Sequence, residues 1–304
     1  MNRNQFLKYC LKLCTAYALG IPKVWAQKNT LMPIHISILY TGNLLGQTTE
    51  TTLEQEKIKG IECLSARAQL IEQIRKETSH CILLDSGNLW LSEDSMLQYS
   101  RQSIIHAMNL MGYTACGLGR QEIETQLSNL SPLLQEAKFD FLSCNIPAAL
   151  YNHALKISAY TIVHCDTIKI GIIGVNAPEH TAEIVANKGS SELLSTIDQL
   201  AEKLKKQKHC QLVVCISQLA QDEKEHPHEN NYQLAKSSAF IDLIIGGYKP
   251  TNSTKPLKVT NKKKKVVWLA QVGTERVYLG RIDYTFFSKK TFFTTNAQTV
   301  ELLK

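Results

Sequence analysis

The chain has 304 residues, of which 44% are hydrophobic, so it is long enough to bury a large core and is expected to be globular. Its formal charge is +7, but residues 1–26 hold Arg3, Lys8, Lys12 and Lys23 and no acidic residue. Without those four, 30 basic residues stand against 27 acidic ones, a charge of +3. A nucleic-acid-binding function is therefore not predicted.

The first 26 residues have the pattern of an export signal. Basic residues precede an apolar stretch at 13–21, and Val24, Trp25 and Ala26 form a small-residue cleavage site. We expect cleavage after Ala26 and a periplasmic or secreted protein; a retained membrane anchor is the alternative. The apolar stretch is too short for a spanning helix, and no later segment approaches the ~20 apolar residues that a span requires, so no transmembrane segment is predicted.

Seven cysteines follow residue 26, and several of them, including Cys81 and Cys215, lie in or beside apolar runs. A free cysteine behaves as a small buried hydrophobe. An odd number without paired spacing does not predict a disulfide framework, and the pairing stays open.

Apolar runs of strand length alternate with stretches of helical periodicity, which is typical of an α/β layered domain. Strands are predicted at residues 34–40, 81–85, 113–118, 141–144, 160–163, 168–173, 211–217, 241–245, 266–271 and 277–286. Helices are predicted at residues 58–77, 103–111, 130–137 and 192–207. Residues 27–304 contain no repeat or convincing linker, which predicts a single domain of two packed sheets with helices outside.

Five short segments follow predicted strands, at residues 41–46, 85–88, 119–122, 217–219 and 246–250. In their order along the chain, these and the core runs closely resemble the metallophosphatase domain of the bacterial 5′-nucleotidase family, within the calcineurin-like phosphoesterases. The best-matching segments are residues 81–90, 107–113, 141–146, 168–174, 241–247 and 278–283. The resemblance covers almost all of residues 27–304. It implies a four-layer α/β/β/α sandwich, with two mixed sheets flanked by helices.

The residues that hold two metal ions in the family are replaced in the first two segments. The family's first loop has a metal-binding Asp and, two residues later, a metal-binding His; Asn43 and Leu45 occupy these positions here. The bridging Asp of the second loop corresponds to Asn88.

The later segments depart in the same way. In the third loop, Arg120 stands for the metal-binding Asn and Gln121 for the His that stabilises the phosphoryl charge. Gln218 replaces the fourth loop's His. Tyr248 and Pro250 replace the fifth loop's ligands. Glu124, where the family has the Asp that orients the catalytic His, alone keeps its chemical type.

These replacements predict that the family's dimetal chemistry is lost. Two adjacent divalent cations need anionic and imidazole ligands. Leu45 and Pro250 offer no ligand atom, and Arg120 carries a fixed positive charge. We therefore expect no cofactor, where the family would use two divalent ions. Without them, an inactive protein that binds a partner or a phosphorylated ligand is the leading hypothesis.

Arg120 and Lys249 form a candidate anion-binding pair, if the loops keep the family's positions. The alternative is that Arg120 pairs with Glu122 or Glu124. The second functional hypothesis is an active metal-dependent phosphoesterase or 5′-nucleotidase with an altered ligand set: Asn43, Asn88, Gln218 and the acidic loop around His226. A structural remnant without selected activity is the third.

The resemblance also bears on partners. The family's nucleotidases carry a C-terminal domain that holds the nucleoside base, and this sequence ends at Lys304 before any such domain. We expect that a separate C-terminal-like subunit, or another envelope protein, is a partner. The four consecutive lysines at residues 262–265 fit an acidic partner or an anionic envelope surface, or else a solvated turn.

Overall fold

The computed structural model describes residues 32–42, 53–89, 98–124, 127–146, 156–177, 190–222, 224, 227, 229–251, 255–273, 278–287 and 292–301. Ile34–Lys304 is one compact unit. The predicted export signal, Asn43, Leu45 and His226 lie outside the described residues. No helix in the described ranges is both long enough and apolar enough to cross a bilayer.

The first sheet has seven strands in the order β13-β12-β1-β2-β3-β4-β5. Strands β1 to β5 are parallel, whereas β12 runs antiparallel to both β1 and β13. The strands are β1 Ile34–Thr41, β2 His80–Asp85, β3 Ala115–Gly117, β4 Asp140–Leu142, β5 Ile157–Ser158, β12 Tyr278–Phe286 and β13 Phe292–Glu301.

The second sheet has six strands in the order β10-β11-β9-β8-β7-β6. Its four central strands are parallel, and each edge strand is antiparallel to its neighbour. The strands are β6 Tyr160–Cys165, β7 Ile168–Val175, β8 Leu212–Ser217, β9 Leu243–Thr251, β10 Leu257–Thr260 and β11 Val266–Gly273.

The buried apolar residues form three layers of core. The central one packs the two sheets face to face, with Ile38 and Leu84 from the first sheet and Ile172 and Val214 from the second. Helices cover the outer face of each sheet. They are α1 Leu53–Glu77, α2 Gln98–Met111, α3 Arg120–Glu124 and α4 Leu127–Glu136 in the first half, and α5 Ser190–Lys206 and α6 Asn231–Ser237 in the second. The predicted α/β/β/α sandwich with two mixed sheets is confirmed.

The structure differs from the predictions at the fifth segment. Residues 246–250 were expected to form a loop, but β9 continues to Thr251. Its register against β11 shifts between Gln271 and Gly273, so residues 247–250 form an irregular stretch of strand. An irregular strand end bends locally and re-aims its side chains, which explains why Gly246 and Gly247 read as a turn.

Elements α3, α6, β5, β10 and β13 were not predicted, and α6 and β13 illustrate two different reasons. Helix α6 is only seven residues long, too short for a periodic stripe, and is capped by the preceding Asn230, whose side chain accepts a hydrogen bond from the Gln233 backbone N–H. Strand β13 is rich in Thr, Asn and Gln, and its pairing with β12 rather than local apolar content defines it. Helix α4 begins at Leu127, so Pro132 lies inside it rather than at its entrance.

Candidate functional site: a hydrogen-bonded strand-end edge

The predicted site segments meet where parallel strands of the two sheets end. Asn88 follows β2 of the first sheet, and Gln218 follows β8 of the second. Nδ2 of Asn88 donates to Oε1 of Gln218 across 3.3 Å. Nε2 of Gln218 in turn donates to the backbone carbonyl of Ser86. Gln218 is fully buried, so the two amides form an internal contact between the sheets.

Glu122 ties the second segment to the third. One carboxylate oxygen accepts the backbone N–H of Leu89 at 2.8 Å, and the other accepts those of Asn88 at 3.0 Å and Gly119 at 2.6 Å. Burial raises the pKa of Glu122 to about 7, although the three hydrogen bonds act in the opposite direction. The Glu122 side chain therefore fixes the second and third segments relative to each other.

Asp85 is the other buried carboxylate at this edge, and it is also engaged internally. It accepts hydrogen bonds from Oγ1 of Thr41 at 2.6 Å and from the backbone N–H of Gly87 at 2.7 Å. The thiol of Cys116 lies 3.7 Å from the carboxylate. Burial raises the pKa of Asp85, and the hydrogen bond from Thr41 opposes that shift. Its oxygens thus anchor the end of β2.

Glycines allow the segments to approach one another. Gly87 has φ of +96°, a conformation that L side chains rarely adopt. A Cβ added to Gly119 would collide with the Asn88 side chain. One added to Gly247 would collide with Oγ of Ser86 and lie 2.7 Å from Nε2 of Gln218. The backbone of β9 therefore packs directly against Ser86 and Gln218.

The remaining predicted site residues are less closely associated. Arg120 is the first residue of α3 and is exposed, and Tyr248 is half-buried in β9. For four of the predicted site residues the structure describes the main chain only: Gln121, Glu124, Lys249 and Pro250. Of the predicted set, the structure brings together Asn88 and Gln218.

The residues at this edge do not fit a pair of divalent cations. Asn88 and Gln218, which the sequence resemblance places at ligand positions, are neutral and share a hydrogen bond. The nearby carboxylates of Asp85 and Glu122 already accept hydrogen bonds from backbone and side-chain donors. Within the described ranges, no group of three or more His, Cys, Asp or Glu side chains is placed to hold a metal ion.

The sequence suggested only a pairing with Arg120 for Glu122 and no role for Ser86. Glu122 lies two residues after Arg120, and only the three-dimensional approach of the second segment shows what it binds. Oγ of Ser86 is buried and has no hydrogen-bond partner within the described part of the chain. The sequence signal was the position of Ser86, directly after an apolar strand that ends in Asp85.

No protein-family model matches the chain. Among curated proteins, it is similar to the snake venom 5′-nucleotidase of Naja atra, with 26% identity over 276 residues that cover 84% of this chain and 51% of that protein. It is likewise similar to the 5′-nucleotidase of Bos taurus, with 24% identity over 89% of this chain and 50% of that protein. The chain thus spans about half the length of these relatives.

Solved structures show the same fold. The calcineurin-like phosphoesterase YfkN from Bacillus subtilis aligns with a TM-score of 0.64 and 19% identity, covering 89% of this chain and 91% of that one. This likeness extends over both sheets rather than over one supersecondary unit.

These relatives correct the prediction that no cofactor is expected. They are nucleotidases and phosphoesterases, and the family relies on divalent metal ions because the cations activate water and offset phosphate charge. The similarity to these proteins thus implies a divalent metal ion as cofactor, although the described side chains do not form a set of metal ligands. The chain is therefore similar in sequence to 5′-nucleotidases and has the fold of a calcineurin-like phosphoesterase.

Proposed function

We propose that this chain is an exported member of the 5′-nucleotidase family. It binds a phosphorylated ligand or a protein partner at the strand-end edge and does not hydrolyse phosphate esters. The observation that carries the proposal is the hydrogen bond between Asn88 and Gln218. Two side chains at ligand positions of the family contact each other, and this contact connects the sheets.

Hydrolysis in a dimetal site requires cations about 3.5–4 Å apart to generate hydroxide and to polarise the phosphate. Such cations would have to break the Asn88–Gln218 contact and remove Gln218 from the Ser86 carbonyl. After those hydrogen bonds were broken, the two side-chain amides would offer the cations only neutral oxygen ligands.

Three groups support a binding role. Arg120 is exposed at the start of α3, and Lys249 lies in the irregular stretch of β9 that adjoins Ser86 and Gln218. Oγ of Ser86 is buried and has no hydrogen bond within the described residues. A cation and a hydroxyl donor at one edge suit a phosphate group. The proposed protein partner is a separate subunit like the C-terminal nucleotidase domain, or another envelope protein.

The first experiment measures bound metal and phosphatase turnover in the purified protein. Metal content is determined after purification, and hydrolysis of AMP and a generic phosphate monoester is followed with Mn²⁺, Zn²⁺ or Mg²⁺. We expect no turnover above that of a protein-free blank. Turnover that a chelator abolishes would replace the proposal with its alternative, an active metal-dependent phosphoesterase, which the phosphoesterase relatives favour.

The second experiment tests the anion site by isothermal titration with inorganic phosphate and with AMP. Binding heat is expected for the unaltered protein and for Lys138→Ala, an exposed lysine outside the edge, but not for Arg120→Ala. Equal binding heats for the two variants would show that Arg120 is not part of the anion site. Absence of heat with all three proteins would leave a protein partner as the proposed ligand, tested by co-purification from the envelope fraction.

Export is the remaining part of the proposal. It is supported by the basic, apolar and small-residue regions of residues 1–26. Mass spectrometry of the protein from cell fractions should find a mature chain that begins at Gln27. An intact N-terminus in the membrane fraction would instead indicate a retained anchor.

A further inference from the structure

A basic edge lies opposite the site and is defined by Lys206, Lys236 and the four lysines at residues 262–265. Strands β8, β9 and β11 are parallel, and the end of α5, the end of α6 and the turn at residues 261–265 each precede one of them. These three segments therefore share the amino-terminal edge of the second sheet. Gln218 lies at the carboxyl-terminal edge.

Direct contacts hold the three segments together. The backbone N–H of Lys262 donates to the carbonyl of Lys236 at 2.9 Å. The ring of Phe240 contacts two ammonium groups, with Nζ of Lys263 at 3.9 Å and Nζ of Lys206 at 5.4 Å from its centroid. The basic edge is thus one continuous patch.

The lysine turn has a fixed conformation. Oδ1 of Asn261, which is buried, accepts the backbone N–H groups of Lys263 and Lys265, both at 2.9 Å. Lys264 adopts φ of 57°. Four consecutive lysines concentrate positive charge in one turn, and like charges repel one another. The hydrogen bonds of Asn261 nevertheless hold the turn in this form.

Acidic neighbours offset only part of this charge. Asp198 pairs with Lys262 at 2.8 Å, and Glu202 pairs with Lys206 at 2.5 Å. The six lysines of the basic edge thus contact two carboxylates within the described residues. The edge carries more positive charge than the whole chain without its first 26 residues, whose net charge is +3.

We propose that the basic edge docks on an anionic phospholipid surface. The lysines lie on one turn and at two helix ends that share one edge of the sheet, and such a spread of positive charge suits an extended layer of negative charge. All six are lysines, which act as point charges, rather than arginines, which bind carboxylate or phosphate as a fork. Val266, directly after the turn, is 51% exposed and can enter the headgroup region. Docking in this way would direct the strand-end site away from the membrane.

The test is flotation of the full chain with vesicles of phosphatidylcholine, with and without phosphatidylglycerol. The test variant carries Lys263→Gln, Lys264→Gln and Lys265→Gln. The matched control carries Lys76→Gln, Lys138→Gln and Lys224→Gln, which remove the same charge from exposed positions elsewhere. The apolar N-terminal stretch is present in all three proteins, so its own contribution cancels.

A lysine beside an anionic membrane strengthens binding roughly fivefold, so the test variant should lose about a hundredfold in affinity for phosphatidylglycerol vesicles. The control should stay close to the unaltered protein. Binding of the unaltered protein should also weaken steeply as salt is added, a measurement that needs no variant.

Equal loss in both variants would overturn the proposal, as would equal binding to vesicles without phosphatidylglycerol. A third adverse result is tight binding to soluble polyglutamate together with no flotation, which would indicate an acidic protein partner. The urea unfolding midpoints of the three proteins should agree, so a change in flotation reports on charge.

Discussion

Asn88 and Gln218 are 130 residues apart in the chain, and their side-chain amides are joined by a 3.3 Å hydrogen bond. The contact links the loop after β2 to the loop after β8, and through them the two sheets. An amide pair provides one directed hydrogen bond with neither charge nor the high coordination number of a cation. This contact therefore adds one hydrogen bond between neutral groups to those that the Asp85 and Glu122 carboxylates accept at the same edge.

Gln218→Ala should destabilise the protein by about 2–3 kcal/mol. The change removes both hydrogen bonds of the buried amide and leaves the Ser86 carbonyl and the Asn88 amide without these partners. The matched control is Gln199→Ala on the exposed face of α5, which should change stability by less than about 0.5 kcal/mol. Urea unfolding followed by circular dichroism measures both, and equal effects would show that the amide contact is not a stabilising one.

Stability should fall as the pH rises from about 5 to 7. The pKa of Glu122 is raised by burial to about 7 in the folded protein, from 4.5. The folded state thus binds the proton more tightly than the unfolded state, and this contribution is complete below pH 4.5 and lost above pH 7. The loss amounts to about 3 kcal/mol, and urea unfolding at a series of pH values measures it.

Glu122→Gln provides the control for that pH dependence. A glutamine cannot titrate, so the fall in stability across this range should be shallower by the contribution of Glu122. The variant should also be less stable at every pH. Its side-chain NH2 group would take the place of one carboxylate oxygen and would face backbone N–H donors, to which it cannot bond. The raised pKa of Asp85 is common to both proteins and cancels. Parallel pH profiles would mean that Glu122 does not titrate in this range.

Gly174→Ala should destabilise the protein by about 2–3 kcal/mol. A Cβ at this position in β7 would collide with the backbone carbonyl of Leu142 in β4 of the other sheet, which cannot move aside easily. Gly171→Ala, in the same strand, would meet the Leu204 side chain at 2.8 Å, and a side-chain end can shift. Thermal unfolding should therefore give a lower midpoint for the first variant than for the second.

Asp198→Ala should cost about 1–3 kcal/mol, because this carboxylate organises the end of α6. It accepts hydrogen bonds from the Ser238 hydroxyl at 2.9 Å and the Ala239 N–H at 2.8 Å, besides its ion pair with Lys262. Glu202→Ala, one helical turn further along α5, removes a more exposed ion pair and should cost less than about 1 kcal/mol. Chemical denaturation compares the two, and equal costs would reduce Asp198 to a surface ion pair.

Except for β5, β10 and β13, the strands of the two sheets were predictable from their apolar runs, and the central strands are apolar on both faces. Ile170, Ile172, Val214 and Ile244 belong to runs that periodicity detects without knowledge of their neighbours. The continuation of β9 past Gly246 was not predictable, because its pairing partner lies on β11 and the register shift occurs there.

The site was predictable only as far as residue types allow. Resemblance places Asn88 and Gln218 at ligand positions, but their contact arises from the packing of one sheet on the other. The role of Glu122 depends in the same way on backbone donors from a segment 33 and 34 residues earlier. The local sequence shows which side chains are present but not which of them come into contact.

Strand β13 has a practical consequence for any shortened form of the protein. It pairs with β12 along its whole length, from Phe292 opposite Phe286 to Glu301 opposite Tyr278. Removing it would leave the hydrogen-bonding groups of β12 open along one side, and an open strand edge recruits strands from other molecules. A tag fused after Lys304 would preserve the covering strand, whereas a chain ended before Phe292 should associate with itself.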